Sequence, residues 1–197
     1  MKDFLGHDSL VHLELKKNKL VDMSGAANME SLQELYLNEN EITNFSSLKN
    51  LPKLRKLDLN MNKIARLKDL PTLPSLEHLD LGGNVIEKAD GDIPSLAIYP
   101  TLKTLIMAAN PFADALGDKL KIEVLLTLRK IKFVGEEEIN DEDRIVMKEE
   151  AKERRKAAIA AAIEAEKIAM ERAAAGEEPL AEGEGDDVVV EAEADDE

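Results

Sequence analysis

The chain has 197 residues, carries a formal net charge of −15 and contains no cysteine. Its length suffices for one buried core with an appendage. The missing thiols exclude disulfide scaffolds, thiol nucleophiles and cysteine-bearing metal centres, and they fit a reducing compartment. An acidic balance speaks against nucleic acid as a partner, because releasing counterions from phosphates takes a basic surface. No apolar run nears the roughly 20 residues of a membrane span, and Met1-Lys2-Asp3-Phe4-Leu5 lacks the continuous apolar stretch of a secretory signal. The expectation is a protein of the cytoplasm that bridges neither membrane nor nucleic acid.

In chain order, the first element is a pattern. Leu10, Leu13, Leu15, Asn18 and Leu20 define Leu-x-x-Leu-x-Leu-x-x-Asn-x-(Leu/Ile), which returns three times at intervals of 22 residues and a fifth time after 26. Its asparagines are Asn18, Asn40, Asn62, Asn84 and Asn110. Alternating leucines such as Leu35 and Leu37 put apolar side chains on one face of a short strand. One such strand cannot bury that face alone, so neighbouring copies stack into a parallel sheet. The asparagine falls where the chain turns off the strand, and its amide can satisfy backbone groups the bend leaves open. Stacked copies then form an asparagine ladder. Phe45, Leu48 and Leu51, then Leu67, Leu70 and Leu73, line the convex side. This predicts an α/β leucine-rich repeat solenoid of five repeats with its parallel sheet on the concave face.

The longer interval places an insertion in 88–100, either an inert convex bulge or a docking feature. A solenoid must also protect its ends. Ahead of the first repeat stand only Phe4, Leu5 and Val11, so a partner or further repeats are expected there. After the fifth repeat, Leu116, Leu120, Val124, Leu125 and Leu128 recur at helical spacing, which predicts a capping helix over 114–128. Ile131, Phe133 and Ile139 then predict an extended segment covering the last repeat.

From Asp143 to about Ala175 nearly every residue is a strong helix former. Asn140 is the expected cap, with Asp143 three positions on, and Gly176 the stop. The apolar stripe Ile145, Ile159, Ile163 and Met170 is too thin for a core helix and suits a projecting, coiled-coil-like helix that lies against another protein. From Gly176 to the end there are eleven acids and no Lys or Arg, so most of the net charge sits in a tail expected to be disordered. The domain reading is therefore 1–140 solenoid with cap, 141–175 charged helix and 176–197 acidic tail.

Catalytic chemistry has little to work with. His7, His12 and His78 are too scattered along a solenoid to share a metal. Asp58 and Asp80 occupy equivalent places in consecutive strands, yet an open sheet is expected to leave their acidity unshifted. Gly82-Gly83 marks a close backbone approach rather than a phosphate loop. No enzyme, cofactor, metal or small-molecule substrate is expected. The outward strand positions are the candidate protein-binding surface: Glu14, Lys16, Glu34, Tyr36, Asn38, Lys56, Asp58, Asn60, His78, Asp80 and Ile106. The helix stripe is the second.

The runs Leu35-Tyr36-Leu37-Asn38-Glu39-Asn40 and Leu79-Asp80-Leu81-Gly82-Gly83-Asn84, closed by Asn110-Pro111 and a cap, resemble the short-repeat class of cytosolic adaptor proteins. Over about residues 10–175, the order of repeats, cap and charged helix is most similar to the leucine-rich repeat protein of ciliary radial spokes. That resemblance implies a structural subunit of the motile axoneme, in the cytoskeleton of the cilium or flagellum, bound to other spoke subunits in a large hetero-oligomer. The chain departs from the class in its cap, where Lys132-Phe133-Val134-Gly135 replaces a Leu-Asp dipeptide. The acidic leucine-rich nuclear phosphoprotein family, which handles histones, and the spliceosomal adaptors of the same repeat class are the alternatives.

Overall fold

Each repeat contributes a strand of three residues whose middle leucine is buried and whose two flanks face solvent. In the computed structural model, which describes residues 9–88 and 92–174, these are β1 (His12–Glu14), β2 (Glu34–Tyr36), β3 (Lys56–Asp58), β4 (His78–Asp80) and β5 (Thr104–Ile106). They pair in parallel and in strict register, so Leu13, Leu35, Leu57, Leu79 and Leu105 form one row beneath the sheet. All five are buried. Phe45, Leu48, Leu51, Leu67 and Leu73 close the core from the convex side, with Leu70 partly buried against them.

The asparagine ladder holds successive repeats together. Asn62 Nδ2 donates to Leu37 O at 3.0 Å in the preceding repeat and to Leu59 O at 3.0 Å in its own, while its Oδ1 accepts from the Ile42 N–H at 3.0 Å. Asn40, Asn84 and Asn110 repeat this arrangement, and all four are buried. Asn18 is exposed and, among the described residues, bonds Leu15 O and Lys16 O of its own turn and no other repeat. The residue before each asparagine is left-handed: Lys17, Glu39, Met61, Gly83 and Ala109 have φ between 53° and 62°. Only Gly83 among them is free of the Cβ penalty.

At the first of the two glycines the close approach is to a side chain rather than to backbone. A Cβ on Gly82 would lie 2.7 Å from Asn60 Nδ2 and 3.2 Å from Asp80 Oδ1, so a larger residue would displace the Asn60 side chain, whereas Ala108 O at 3.4 Å would be in ordinary contact. The longer interval forms a helical turn, α1 (Asp92–Ser95), followed by a 3-10 turn at Leu96–Ile98. Ile93, Leu96 and Tyr99 are buried there, and the Tyr99 hydroxyl donates to Pro71 O at 3.1 Å. Burial in this apolar site pushes the Tyr99 phenol well above its ordinary acidity range.

The cap is more broken than one helix over 114–128. Gly117, at φ +52°, divides it into α2 (Pro111–Leu116) and α3 (Leu120–Thr127), with a 3-10 turn at Gly117–Lys119 between. The following segment is extended, as expected: β6 (Phe133–Val134) pairs in parallel with β5, and β7 (Glu137–Glu138) turns back antiparallel to it. The sheet therefore has seven strands among the described residues rather than the five of the repeats.

The helix α4 (Asp141–Ala174) starts two residues earlier than its composition suggested. Its capping is reciprocal: the Asp143 N–H donates to Asn140 Oδ1 at 2.8 Å and the Asn140 N–H to Asp143 Oδ2 at 2.9 Å. Lys121 bonds the same Asp143 carboxylate at 2.9 Å, Arg144 donates to Arg129 O and Ile131 O, and Met147 is buried. Two units divide the chain, Met1–Ala151 and Lys152–Glu197. From Lys152 to Glu171 every side chain is exposed. Among the described residues no helix is long and apolar enough to cross a membrane. Phe4, Leu5, His7, the Gly176 stop and the acidic tail lie outside the described residues.

Candidate protein-binding surfaces

Strand register decides which outward residues become neighbours. Of the three outward positions in each repeat, two on the strand and one just past it, the middle ones form one row across the sheet, Glu14–Tyr36–Asp58–Asp80–Ile106, and the first ones another, His12–Glu34–Lys56–His78–Thr104. Successive members stand one strand spacing apart, about 4.8 Å. Lys16, Asn38 and Asn60 follow two residues beyond the first middle positions, at the strand exits. All eleven residues singled out on this face are exposed or half-buried, so none is part of the core.

The first half of the face is tied up in its own contacts. His12 Nδ1 lies 2.9 Å from Glu34 Oε2, to which the Tyr36 hydroxyl also donates at 3.2 Å. The Tyr36 ring sits 5.1 Å from the His12 ring, and Lys56 Nζ lies 4.9 Å from its centroid. Bonding to His12 holds the Glu34 carboxyl below its usual range, and the contact with Lys16 does the same for Glu14. Tyr36 is thereby fixed as a rigid, half-exposed anchor.

The centre of the face is different. Asp58 Oδ1 accepts from the Asn60 N–H at 3.0 Å and Asp80 Oδ1 from the Gly82 N–H at 2.8 Å. Among the described residues neither carboxylate makes an ion pair. Burial, reinforced by the neighbouring Asp58 charge, raises the Asp80 carboxyl above its ordinary value. The expectation that an open sheet offers no pocket to shift a carboxyl is therefore corrected at Asp80, where burial does so. Burial, and then the Lys56 charge, lower the His78 imidazole.

At the far end Ile106 is half-buried and Ala108 exposed. Beside them lies a cavity of about 470 Å³ lined by Met107, Ala108, Leu120, Val134 and Gly135, with Lys121 and Glu137 at its rim. The repeat pattern gave no sign of it, because β6 and the break at Gly117 create it. A convex groove of about 790 Å³, between Lys49–Pro52 and Asp69–Pro71, also escaped sequence reading, since it forms between loops of different repeats. The helix stripe is solvent-facing as expected: Ile145, Ile159, Ile163 and Met170 are 54%, 51%, 60% and 70% exposed.

A family model for leucine-rich repeats (two copies) matches residues 30–72 and 52–97. No curated protein matches the sequence. A chain of the Drosophila melanogaster SNF/U2A' complex is similar in fold, with a TM-score of 0.58 and 22% identity over 70% of this chain and 78% of that one. An internalin (InlF) from Listeria monocytogenes aligns with a TM-score of 0.46 and 25% identity, over 64% of this chain and 35% of that one. The fold is that of a leucine-rich repeat solenoid.

Proposed function

We propose that the protein is a non-catalytic scaffold that binds another protein through its concave face, and that its place is the radial spoke of the motile axoneme. The row Tyr36–Asp58–Asp80–Ile106 carries the first part. A partner with an aromatic-compatible contact, a central Arg or Lys and an apolar residue would satisfy, in order, the fixed tyrosine, the unpaired carboxylates and Ile106. The order of repeats, cap and charged helix supports the second part, being the arrangement in which the chain resembles the radial spoke protein.

Proximity labelling with the full chain in ciliated cells tests both, with nuclear proteins as the comparison set. Spoke subunits among the labelled proteins support the axonemal reading. Enrichment of histones or spliceosomal proteins instead would overturn it in favour of a nuclear adaptor. Tyr36→Ala and Ile106→Ala should each weaken capture of the labelled partner about tenfold, the usual scale of a hot-spot truncation, with no loss of folding. Unchanged capture by both variants would remove the concave face from the reading.

A further inference from the structure

The exposed face of α4 has an order that its composition hides. Reading along the helix, Lys152, Lys156, Ile159, Ile163, Glu166 and Met170 are separated by 4, 3, 4, 3 and 4 residues. That is an unbroken coiled-coil seam through a continuous helix, about 27 Å long at 1.5 Å per residue. Ile159, Ile163 and Met170 on it are more than half exposed. A helix without a partner gains nothing from keeping three large apolar side chains in water at this spacing.

The charges on the seam select the occupant and its direction. In a parallel pair of identical helices each seam residue meets itself, which sets Lys152, Lys156 and Glu166 against their own kind in half of the six layers. An antiparallel pair centred between Ile159 and Ile163 meets no such conflict. Its layers are Ile159 against Ile163 of the second copy, Lys156 against Glu166, and Lys152 against Met170, each occurring twice by symmetry. The lysine stem of the last layer covers the thioether while its ammonium reaches water. Sliding this arrangement by one heptad places Lys156 on Ile159 in one direction and Glu166 on Ile163 in the other, so a charge meets an isoleucine either way. Lys156 bonds Glu153 of its own helix at 2.7 Å in the single chain, a fully exposed i,i+3 pair of little strength that pairing with Glu166 would replace.

We infer that α4 is an antiparallel self-association element: two copies of the chain pair through Lys152, Lys156, Ile159, Ile163, Glu166 and Met170, with Lys156 of each opposite Glu166 of the other. This does not depend on what the concave face binds.

The full chain, followed by sedimentation over a range of concentrations, tests it. Wild type should show a reversible monomer–dimer equilibrium. Lys156→Glu and Glu166→Lys should each weaken dimerisation at least tenfold by placing like charges in the two ionic layers. The double variant K156E/E166K should regain the wild-type constant, a recovery that damage to the helix would not give, and far-UV circular dichroism checks that helicity is kept. Because the natural chain has no cysteine, orientation can be read independently. Mixed I159C and I163C chains should form a disulfide with each other far faster than either does with itself. A monomer at all concentrations, failure of the double variant to recover, or preferential I159C self-crosslinking would each overturn the inference. Binding only to a different protein, with no self-association, would do the same.

Discussion

The two faces of one sheet obey opposite rules. Beneath it, each repeat places the same residue types: a buried leucine in every central strand position and an asparagine at every exit turn, buried in all but the first repeat. Above it, the outward residues vary from repeat to repeat, and the middle row changes from Glu14 to Tyr36, then to the aspartates Asp58 and Asp80, and then to Ile106. Packing needs identity, because each repeat must fit its neighbour on both sides. Recognition needs difference. The hidden face therefore stores stability in repeated contacts, while the open face stores specificity in contacts left unfinished, such as the two carboxylates that make no ion pair among the described residues.

The largest break in that contrast should come from the hidden face. Leu79→Ala empties a fully buried position between two packed repeats and should cost about 3 kcal/mol in urea unfolding, the middle of the range for buried leucines. Ile106→Ala, in the adjacent strand but on the open face, should cost under about 1 kcal/mol, in keeping with half-exposed sites. Equal losses at the two positions would show that Ile106 belongs to the core and would dissolve the distinction.

A sharper version uses one residue type at two places. Asn84 bonds Leu59 O, Leu81 O and Gly82 O and accepts from the Ile64 N–H. Asn84→Ala leaves the buried Ile64 N–H without its acceptor, while Leu59 O, Leu81 O and Gly82 O keep their bonds from Asn62, Asn110 and the Met61 N–H, and it should cost about 2 kcal/mol. Asn18→Ala should cost less than about 1 kcal/mol, because water replaces its exposed bonds. Chemical denaturation of both variants gives the ratio directly.

This split explains what sequence reading could reach. The period exposes everything that depends on identity: strands, ladder, convex leucines, even the Asn140–Asp143 cap, whose logic is local. It says nothing about the left-handed turns at Lys17, Glu39, Met61 and Ala109, because the ladder imposes that conformation on residues with no preference for it. The cavity beside Ala108 escaped for a related reason. It depends on where Gly117 breaks the cap and on β6 joining the sheet, both consequences of packing rather than of periodicity. Likewise, the equivalent places of Asp58 and Asp80 were visible, but the burial that raises the Asp80 carboxyl is a product of packing.

The smallest effect has the opposite sign. The folded chain raises the Asp80 carboxyl above its unfolded value, first through burial and then through the Asp58 charge. Between the unfolded and folded values the native state holds more protons than the unfolded chain, so stability attributable to this group falls as pH rises through that window. Above the window the ionised carboxylate opposes folding in full; below it, the opposition is gone. Asp80→Asn keeps an oxygen to accept from the Gly82 N–H at 2.8 Å and removes the charge. The variant should therefore be more stable than wild type at pH 7, with the advantage vanishing near pH 3, as denaturant midpoints at the two pH values would show. The same substitution should weaken capture of a basic partner. A residue whose removal strengthens the fold and weakens binding is kept for binding; a loss of stability at pH 7 would place Asp80 with the leucines and asparagines instead.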